Sequence, residues 1–230
     1  MFLLASDYDN TLKVKGLKGY DLRINIPYLR KFISDGNVFL LNTGRPYKSI
    51  KEEIDKYNIP FSYLGCNDGN IMFDSGNNII YSSNLNSNLY YDLFPLEEKF
   101  NLKINIVKYE ENILEFELII SNLSNEFFNE LEKIMVKYNL CKQVFEKKGF
   151  YQVYVYSKEI NKSTPIEYLK DKHGILHENI YTVGDHYNDL EMISSYNGYA
   201  MWWAKQGVKD VAQGTCPSVA SLVKRIEKRR

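Results

Sequence analysis

The chain opens on an apolar run that ends abruptly in carboxylates. Residues 1–6 are almost entirely apolar, and the polar stretch Asp-Tyr-Asp-Asn-Thr follows directly at residues 7–11. A continuous apolar run of this kind is typical of a parallel strand that is buried on both faces and delivers polar residues at its carboxyl end. The run therefore predicts an α/β sheet and directs attention to the loop that follows the first strand.

Strand and helix signals alternate over the first 65 or so residues. Residues 38–41 and 61–64 are predicted as further strands, and the apolar residues between them recur at helical spacing. An earlier helix is predicted to begin at Pro27, since proline favours the first helical position, and to end near Gly36. Alternation of this kind predicts a Rossmann-like core with a parallel sheet. The same style returns after residue 157, with a helix that ends at Gly174 and a strand over residues 180–183.

The middle of the chain has a different style. Hairpin-type strands and two helices are predicted there, which indicates an α+β module that interrupts the α/β core. We therefore expect a core domain of residues 1–70 and 157–230 and a cap domain of residues 71–156. The predicted cap strands cover residues 79–81, 104–109, 113–121, 143–147 and 150–156, and its helices cover residues 89–100 and 125–138.

Composition excludes several classes of function. Lysines plus arginines number 29 and aspartates plus glutamates also 29, so no net charge favours nucleic acid or an anionic membrane surface. No run approaches the roughly 18 apolar residues of a membrane span, and the short opening run lacks a basic leader. The three cysteines are widely spaced and odd in number, which fits neither a disulfide framework nor a metal site. We expect an unprocessed cytoplasmic protein, a monomer or small homo-oligomer, that binds neither nucleic acid nor membrane.

Three polar clusters follow predicted strands, at residues 7–11, 42–45 and 184–189. Ligands of open α/β sheets bind beyond the carboxyl ends of the strands. Asp7 and Asp9 would leave the same face if the backbone stays extended, and two such charges resist joint ionisation unless a cation lies between them or one of them holds a proton. With Asp185 from another strand, they predict a site for a hard cation such as Mg²⁺. The alternative is that these aspartates only mark turns after strands.

Four motifs in order give the chain a resemblance to a known family. Residues 7–12 (DYDNTL) resemble a DxDGT-L motif, residues 42–46 (NTGRP) a second motif, Lys162 before a helix a third, and residues 184–189 (GDHYND) a GDxxND motif. Together they resemble the haloacid dehalogenase-like (HAD) superfamily of phosphohydrolases, subclass IIB or Cof-like. Thr43 lies 36 residues after Asp7 (43 minus 7), whereas Lys162 lies 119 after Thr43 (162 minus 43), so the insertion stands where this subclass has its cap.

The resemblance implies a role for each motif residue in catalysis. Asp7 would be the nucleophile that forms an aspartyl phosphate, and Asp9 the general acid and then the base. Thr43 and Lys162 would hold the oxygens of the transferring phosphoryl group.

The resemblance also implies a Mg²⁺ site. Asp185 would bind the ion together with the Asp7 carboxylate and the Asp9 backbone carbonyl. Asn188 and Asp189 would support it from the same loop.

The resemblance also implies which residues contact the substrate. Arg45 suits a second anionic or hydroxyl group because of its planar fork of donors, although an ion pair within the protein is the alternative. The substrate-binding residues that the resemblance implies are Thr43, Gly44, Arg45, Asn67, Asp68, Lys162 and Asn188.

Two departures from the family pattern stand out. Asn10 replaces the usual glycine, which is tolerable because asparagine also adopts left-handed conformations. Trp202 and Trp203 stand where relatives have a small loop, and two indoles there would reshape the cleft.

The resemblance implies a Mg²⁺-dependent phosphomonoesterase that acts on a small phosphorylated metabolite such as a sugar phosphate. Two alternatives remain. A phosphomutase like the phosphomannomutases would share both aspartates and the cap class, and a non-catalytic sugar-phosphate sensor would share the fold.

Overall fold

The structure is a computed structural model that describes residues 1–229. It contains two compact units: Met1–Tyr81 together with the chain from Asn161 onward, and Ser82–Ile160. The first unit holds a mixed, mostly parallel sheet and the second an antiparallel sheet. This confirms the predicted α/β core with an inserted α+β module. Within residues 1–229, no helix has the length and apolar character needed to cross a membrane.

The secondary structure elements are numbered in chain order. The strands are β1 (Leu3–Ser6), β2 (Val38–Asn42), β3 (Tyr63–Cys66), β4 (Ile71–Asp74), β5 (Ile79–Ser82), β6 (Lys103–Tyr109), β7 (Asn112–Ile120), β8 (Leu140–Lys147), β9 (Phe150–Ser157), β10 (Ile180–Gly184), β11 (Asn197–Met201) and β12 (Gly214–Cys216). The helices are α1 (Tyr20–Ser34), α2 (Tyr47–Tyr57), α3 (Asn88–Phe100), α4 (Asn125–Tyr138), α5 (Thr164–His173), α6 (Leu190–Ser195), α7 (Gln206–Val211) and α8 (Val219–Glu227).

The core sheet has the strand order β12-β11-β10-β1-β2-β3-β4-β5. The strands from β12 to β3 run parallel, and β4 pairs antiparallel with β3. All residues of β1, β2 and β10 are buried, which explains their continuous apolar sequences. Ser6, the last residue of β1, pairs with Leu41 on one side and Val183 on the other. The loops that leave these three strands therefore start side by side at one edge of the sheet.

Helix α1 begins earlier than the sequence predicted. It starts at Tyr20, directly after Gly19, whose φ of 82° is left-handed, and Pro27 lies inside the helix rather than at its first turn. The expectation of a start at Pro27 is therefore wrong. The apolar face already begins at Leu22, which is buried together with Leu29, so tertiary packing outweighs the hydrogen bond that proline cannot donate.

The inserted unit is a four-stranded antiparallel sheet in the order β6-β7-β9-β8 with the helices α3 and α4. Alternate residues of β7, such as Phe116 and Leu118, are fully buried in a core that also contains Leu93 of α3 and Leu131 of α4. The intervening side chains of β7 are partly exposed. One face of this sheet therefore packs on the helices, which matches the alternating sequence pattern of the strands.

The compact units divide at residues 81–82 and 160–161, whereas the sequence placed the boundaries at 70–71 and 156–157. The first difference has a clear cause. β4 pairs with β3, with Leu64 opposite Phe73, and β5 follows β4 at the end of the core sheet. These two short strands have the local pattern of a hairpin, and such a pattern does not reveal which sheet the hairpin joins.

Candidate active site

Three carboxylates and one ammonium group meet beyond the carboxyl ends of the central strands. Asp7 follows β1, and Asp185 and Asp189 follow β10. One oxygen of each lies within 4.8 Å of the others. The Lys162 ammonium, fully buried, donates to Oδ1 of Asp7 and to Oδ1 of Asp189, each at 2.7 Å. Thr11 Oγ1 donates to Oδ1 of Asp185 at 3.1 Å. The sequence-predicted residues from three separate segments are therefore neighbours here.

The charges in this cluster are not balanced by the protein. Burial raises the pKa of the Asp7 carboxyl to about 8, and Lys162 offsets this only in part. Burial and the charge of Asp189 also raise the pKa of Asp185. Burial alone would lower the pKa of Lys162, but the charges of Asp189, Asp7 and Asp68 outweigh it and raise that pKa above its usual value. One lysine thus faces three carboxylates, and clustered carboxylate oxygens are ligands that suit Mg²⁺.

Asp189 organises the loop after β10. Its side chain is fully buried, and its Oδ2 accepts hydrogen bonds from the backbone N–H groups of Asp185 at 2.9 Å and His186 at 3.1 Å. Gly184 permits this geometry, because a Cβ atom there would lie 2.6 Å from the Asp189 Cβ. The close packing of Asp189 against residue 184 therefore explains why the GDxxND motif has a glycine at that position.

Lys162 is held through its backbone as well as its side chain. The Asn42 side chain at the end of β2 donates to the Lys162 carbonyl at 2.7 Å, and this bond is buried. Lys162 stands just before α5, whose first turn contains Pro165. The amide of Asn42 thus links the second motif to the third. It holds the Lys162 backbone in the position from which the ammonium reaches the carboxylate cluster.

Asp9 does not join the other carboxylates. The condition for Asp7 and Asp9 to share a face, an extended backbone, is not met, because β1 ends at Ser6 and the chain turns from Tyr8, whose carbonyl accepts from the Lys13 N–H at 2.9 Å. The Asp9 side chain is 51% exposed and forms a bidentate pair with Arg45, with Nε to Oδ2 and Nη2 to Oδ1 both at 2.6 Å. These hydrogen bonds raise the pKa of Arg45. Of the two interpretations of Arg45, the structure contains the ion pair.

The Arg45 side chain rests on a braced aromatic ring. Its guanidinium carbon lies 5.1 Å from the centroid of Tyr8, which is fully buried. The Tyr8 hydroxyl donates to Glu53 at 2.6 Å, and Lys13 binds the same carboxylate oxygen. Arg45 therefore has a fixed platform, while its partner Asp9 is accessible to solvent.

The second polar loop is tied to the loop that follows β3. Thr43 is 1% exposed, and its Oγ1 accepts from the Arg45 N–H at 3.1 Å. Gly44 lies against Asp68, since a Cβ atom at Gly44 would be 3.0 Å from both Asp68 carboxylate oxygens. The Thr43 carbonyl accepts from the Asp68 N–H at 3.1 Å. These bonds tie the loop after β2 to the loop after β3.

Asp68, rather than Asn67, faces the charged residues. Its Oδ1 lies 3.9 Å from the Lys162 ammonium and accepts from the Asn188 side chain at 2.8 Å. Asn67 is 6% exposed, and its N–H donates to the Arg45 carbonyl. Both residues have left-handed φ angles, 50° for Asn67 and 51° for Asp68. The predicted residue Asn188 therefore connects the loop after β10 to Asp68.

The family model for haloacid dehalogenase-like hydrolases matches residues 4–135 and 110–221 of this chain. The chain belongs to the haloacid dehalogenase-like hydrolase family. An uncharacterised protein of Mycoplasma capricolum is 25% identical over 232 residues, which is 84% of this chain and 87% of that protein.

Solved structures show the same HAD fold at low sequence identity. A haloacid dehalogenase-like hydrolase from Bacteroides thetaiotaomicron is similar with a TM-score of 0.77 and 18% identity over 98% of this chain and 99% of that one. A HAD/Cof-like hydrolase from Plasmodium vivax has a TM-score of 0.74 and 21% sequence identity, with 100% of this chain and 96% of that chain covered. A HAD subclass IIB sugar phosphatase has a TM-score of 0.72 and 18% sequence identity, with 99% of both chains covered.

Sequence reasoning missed two contacts of this HAD site. Thr11 belongs to the first motif, and its hydroxyl links β1 to the Asp185 loop. The Trp203 indole N–H donates to the Asn10 carbonyl at 2.7 Å, so the tryptophan pair connects to the loop that carries Asp9. The spacing of Asp7 and Thr11 could have indicated the first contact, whereas the second depends on the conformation of two separate loops.

Proposed function

We propose that this HAD protein is a Mg²⁺-dependent phosphomonoester hydrolase that acts on a small phosphorylated metabolite such as a sugar phosphate. The observation that carries this proposal is the convergence of Asp7, Asp185 and Asp189 on the buried ammonium of Lys162. A phosphoryl group is an anion and would be repelled by three carboxylates and one lysine. A divalent cation supplies the missing positive charge at the phosphoryl oxygens and the carboxylates.

Asp7 is the proposed nucleophile. Lys162 holds its Oδ1, while Oδ2 has no hydrogen bond to any of residues 1–229 and remains available for attack. In the first step, an Asp7 carboxylate oxygen forms a bond to phosphorus and the bond to the leaving oxygen breaks, which gives an aspartyl phosphate. In the second step, water attacks phosphorus, the bond to Asp7 breaks and inorganic phosphate leaves. Thr43 and Lys162 bind phosphoryl oxygens in both steps.

Asp9 is the proposed general acid and base. Its carboxyl group gives a proton to the leaving oxygen in the first step and accepts one from water in the second. In the structure, Arg45 binds both of its oxygens. The role therefore requires that Asp9 leave Arg45 and turn towards the substrate. Its exposure, 51% of the side chain, allows such a rotation without unpacking the core.

The decisive experiment measures hydrolysis of an aryl phosphate by the purified protein with Mg²⁺ and with a chelator. Asp7→Asn removes the nucleophile with little change of shape, and we expect turnover to fall by at least about a thousandfold. Asp210→Asn is the matched control, because Asp210 is exposed and its side chain accepts a hydrogen bond from Gln206, away from the carboxylate cluster. Metal-dependent release that is lost only in Asp7→Asn supports the proposal, and full activity of Asp7→Asn would contradict the mechanism.

The same assay separates the two alternatives. A phosphomutase transfers the phosphoryl group to a second hydroxyl and responds to a bisphosphorylated sugar. A sensor binds sugar phosphate but releases no phosphate in the presence of Mg²⁺. Product analysis by phosphorus NMR distinguishes phosphate from an isomerised sugar phosphate.

A further inference from the structure

A cavity of about 450 Å³ adjoins the Asp9–Arg45 pair in the core unit. Its volume lies within the range of about 300–1,000 Å³ that small-molecule sites occupy. Four cationic side chains line it: Lys13, Lys15, Lys18 and Arg45. Asp9 is the carboxylate of the lining, so the cations of the lining outnumber its carboxylates by four to one, whereas carboxylates outnumber the lysine in the neighbouring Asp7 cluster.

Two of the four cations already have partners. Lys13 binds Glu53, and Arg45 binds Asp9. Lys15 and Lys18 form no ion pair with any carboxylate of residues 1–229. Two positive charges thus face the same cavity without compensation, and such charges attract an anion.

One wall of the cavity is held in place by packing and hydrogen bonds. The Lys13 ammonium lies 4.8 Å from the centroid of the Tyr57 ring, which also lines the cavity. Gly19 presses against this ring, because a Cβ atom there would lie 2.8 Å from Tyr57 Cε1. Asp21 accepts a hydrogen bond from the Val14 N–H and holds the loop from the other side. The aromatic face gives the non-ionic part of a ligand a surface on which to pack.

We propose that this cavity binds a second anionic group of the substrate, a phosphate or carboxylate distant from the phosphoryl group that is transferred. This inference rests on the function proposed above. Lys15 and Lys18 provide charge, and Arg45 provides a planar fork that matches phosphate or carboxylate. An anion that engages Arg45 competes with Asp9 for it. Binding of the correct substrate therefore releases the proposed general acid at the place where it is needed.

The test uses the full chain and a pair of matched double variants. Lys15→Gln with Lys18→Gln removes the two uncompensated charges. Lys148→Gln with Lys158→Gln makes the same change of charge at exposed positions of the other compact unit. The probes are fructose 1,6-bisphosphate and fructose 6-phosphate, with binding measured by calorimetry in a chelator at fixed ionic strength, where no turnover occurs.

We expect the wild type and the control to bind the bisphosphate about tenfold or more tightly than the monophosphate, and the Lys15/Lys18 variant to lose this preference. Equal binding of the two sugars by the wild type, or an unchanged preference in the variant, overturns the proposal. This arm does not depend on catalysis, so it stands even if the hydrolase proposal fails.

A kinetic arm with Mg²⁺ tests the link to the reaction. The Lys15/Lys18 variant should raise KM for the bisphosphate by about tenfold and leave kcat for an aryl phosphate, which has no second anion, unchanged. A parallel loss for both substrates indicates general damage to the site and contradicts a role in recognising the second group.

Discussion

Replacement of Lys162 by methionine tests whether the buried ammonium is the counter-charge of the carboxylate cluster. Lys162 is fully buried, and its two hydrogen bonds to Asp7 and Asp189 are each 2.7 Å long. Loss of one member of a buried ion pair costs about 3–5 kcal/mol, because the remaining charge has no partner. Asp189 keeps two backbone N–H bonds, and Asp7 can hold a proton, so we expect the lower end, about 3 kcal/mol near neutral pH.

The cost of Lys162→Met should depend on pH in a definite direction. The pKa of Asp7 is raised to about 8 in the folded protein, so the stability associated with its neutral form is lost as the pH rises through that value. Without Lys162, the charged form of Asp7 becomes still less favourable. The variant is therefore expected to lose most stability, relative to wild type, above about pH 8.

Thermal unfolding in a chelator measures the effect. For a chain of this size, a loss of about 3 kcal/mol lowers Tm by roughly 6–12 °C. The control is Lys170→Met, since Lys170 is partly exposed and pairs with Glu167 on the surface of α5, where solvent screens the pair and it contributes little to stability. If the two variants unfold within about 2 °C of each other, Lys162 is not the buried counter-charge that we infer.

Three further predictions follow from the same geometry. Mg²⁺ must displace the proton that Asp7 holds below about pH 8, so its effect on Tm should be larger at about pH 9 than at about pH 6, and equal effects would contradict this. Trp203→Phe removes the indole hydrogen bond to Asn10 in the loop that carries Asp9 and should lower kcat for an aryl phosphate, whereas Trp202→Phe, at a more exposed indole, should not. Gly184→Ala places a methyl group 2.6 Å from the Asp189 Cβ and should lower Tm by several degrees, roughly 2–4 °C for each kcal/mol lost, as calorimetry can show.

The neighbourhood of the site could be predicted from the sequence because of a property of parallel sheets. Asp7, Thr43 and Asp185 each follow an apolar run, and the carboxyl ends of adjacent parallel strands meet at one edge. To predict that these residues lie near one another, it is enough to know where each strand ends. The fold class was predictable for the same reason, while the catalytic roles of these residues remain predictions.

The conformation of Asp9 could not be predicted in this way. Two residues after Asp7, the alternation of an extended strand no longer applies, because β1 ends at Ser6 and the backbone turns from Tyr8 onward. The Asp9 side chain forms an ion pair with Arg45, which lies 36 residues later in the chain (45 minus 9). Whether Asp9 pairs with Arg45 depends on how the loops after β1 and β2 are positioned relative to each other, and apolar periodicity does not encode this. The boundary of the inserted unit was missed for a related reason, since hairpin strands carry no local signal for the sheet they join.

The charge pattern explains why metal and substrate would enter in a defined way. On the two proposals above, the Asp7 cluster repels a phosphoryl group until a divalent cation is present, whereas the cavity beside Arg45 attracts an anion without any metal. A substrate with two anionic groups would therefore be held by its distal group first and aligned towards Asp7. A substrate with one such group lacks this hold, so it separates Asp9 from Arg45 less readily and is turned over more slowly. Selection by the second anion and release of the general acid are then consequences of the same ion pair.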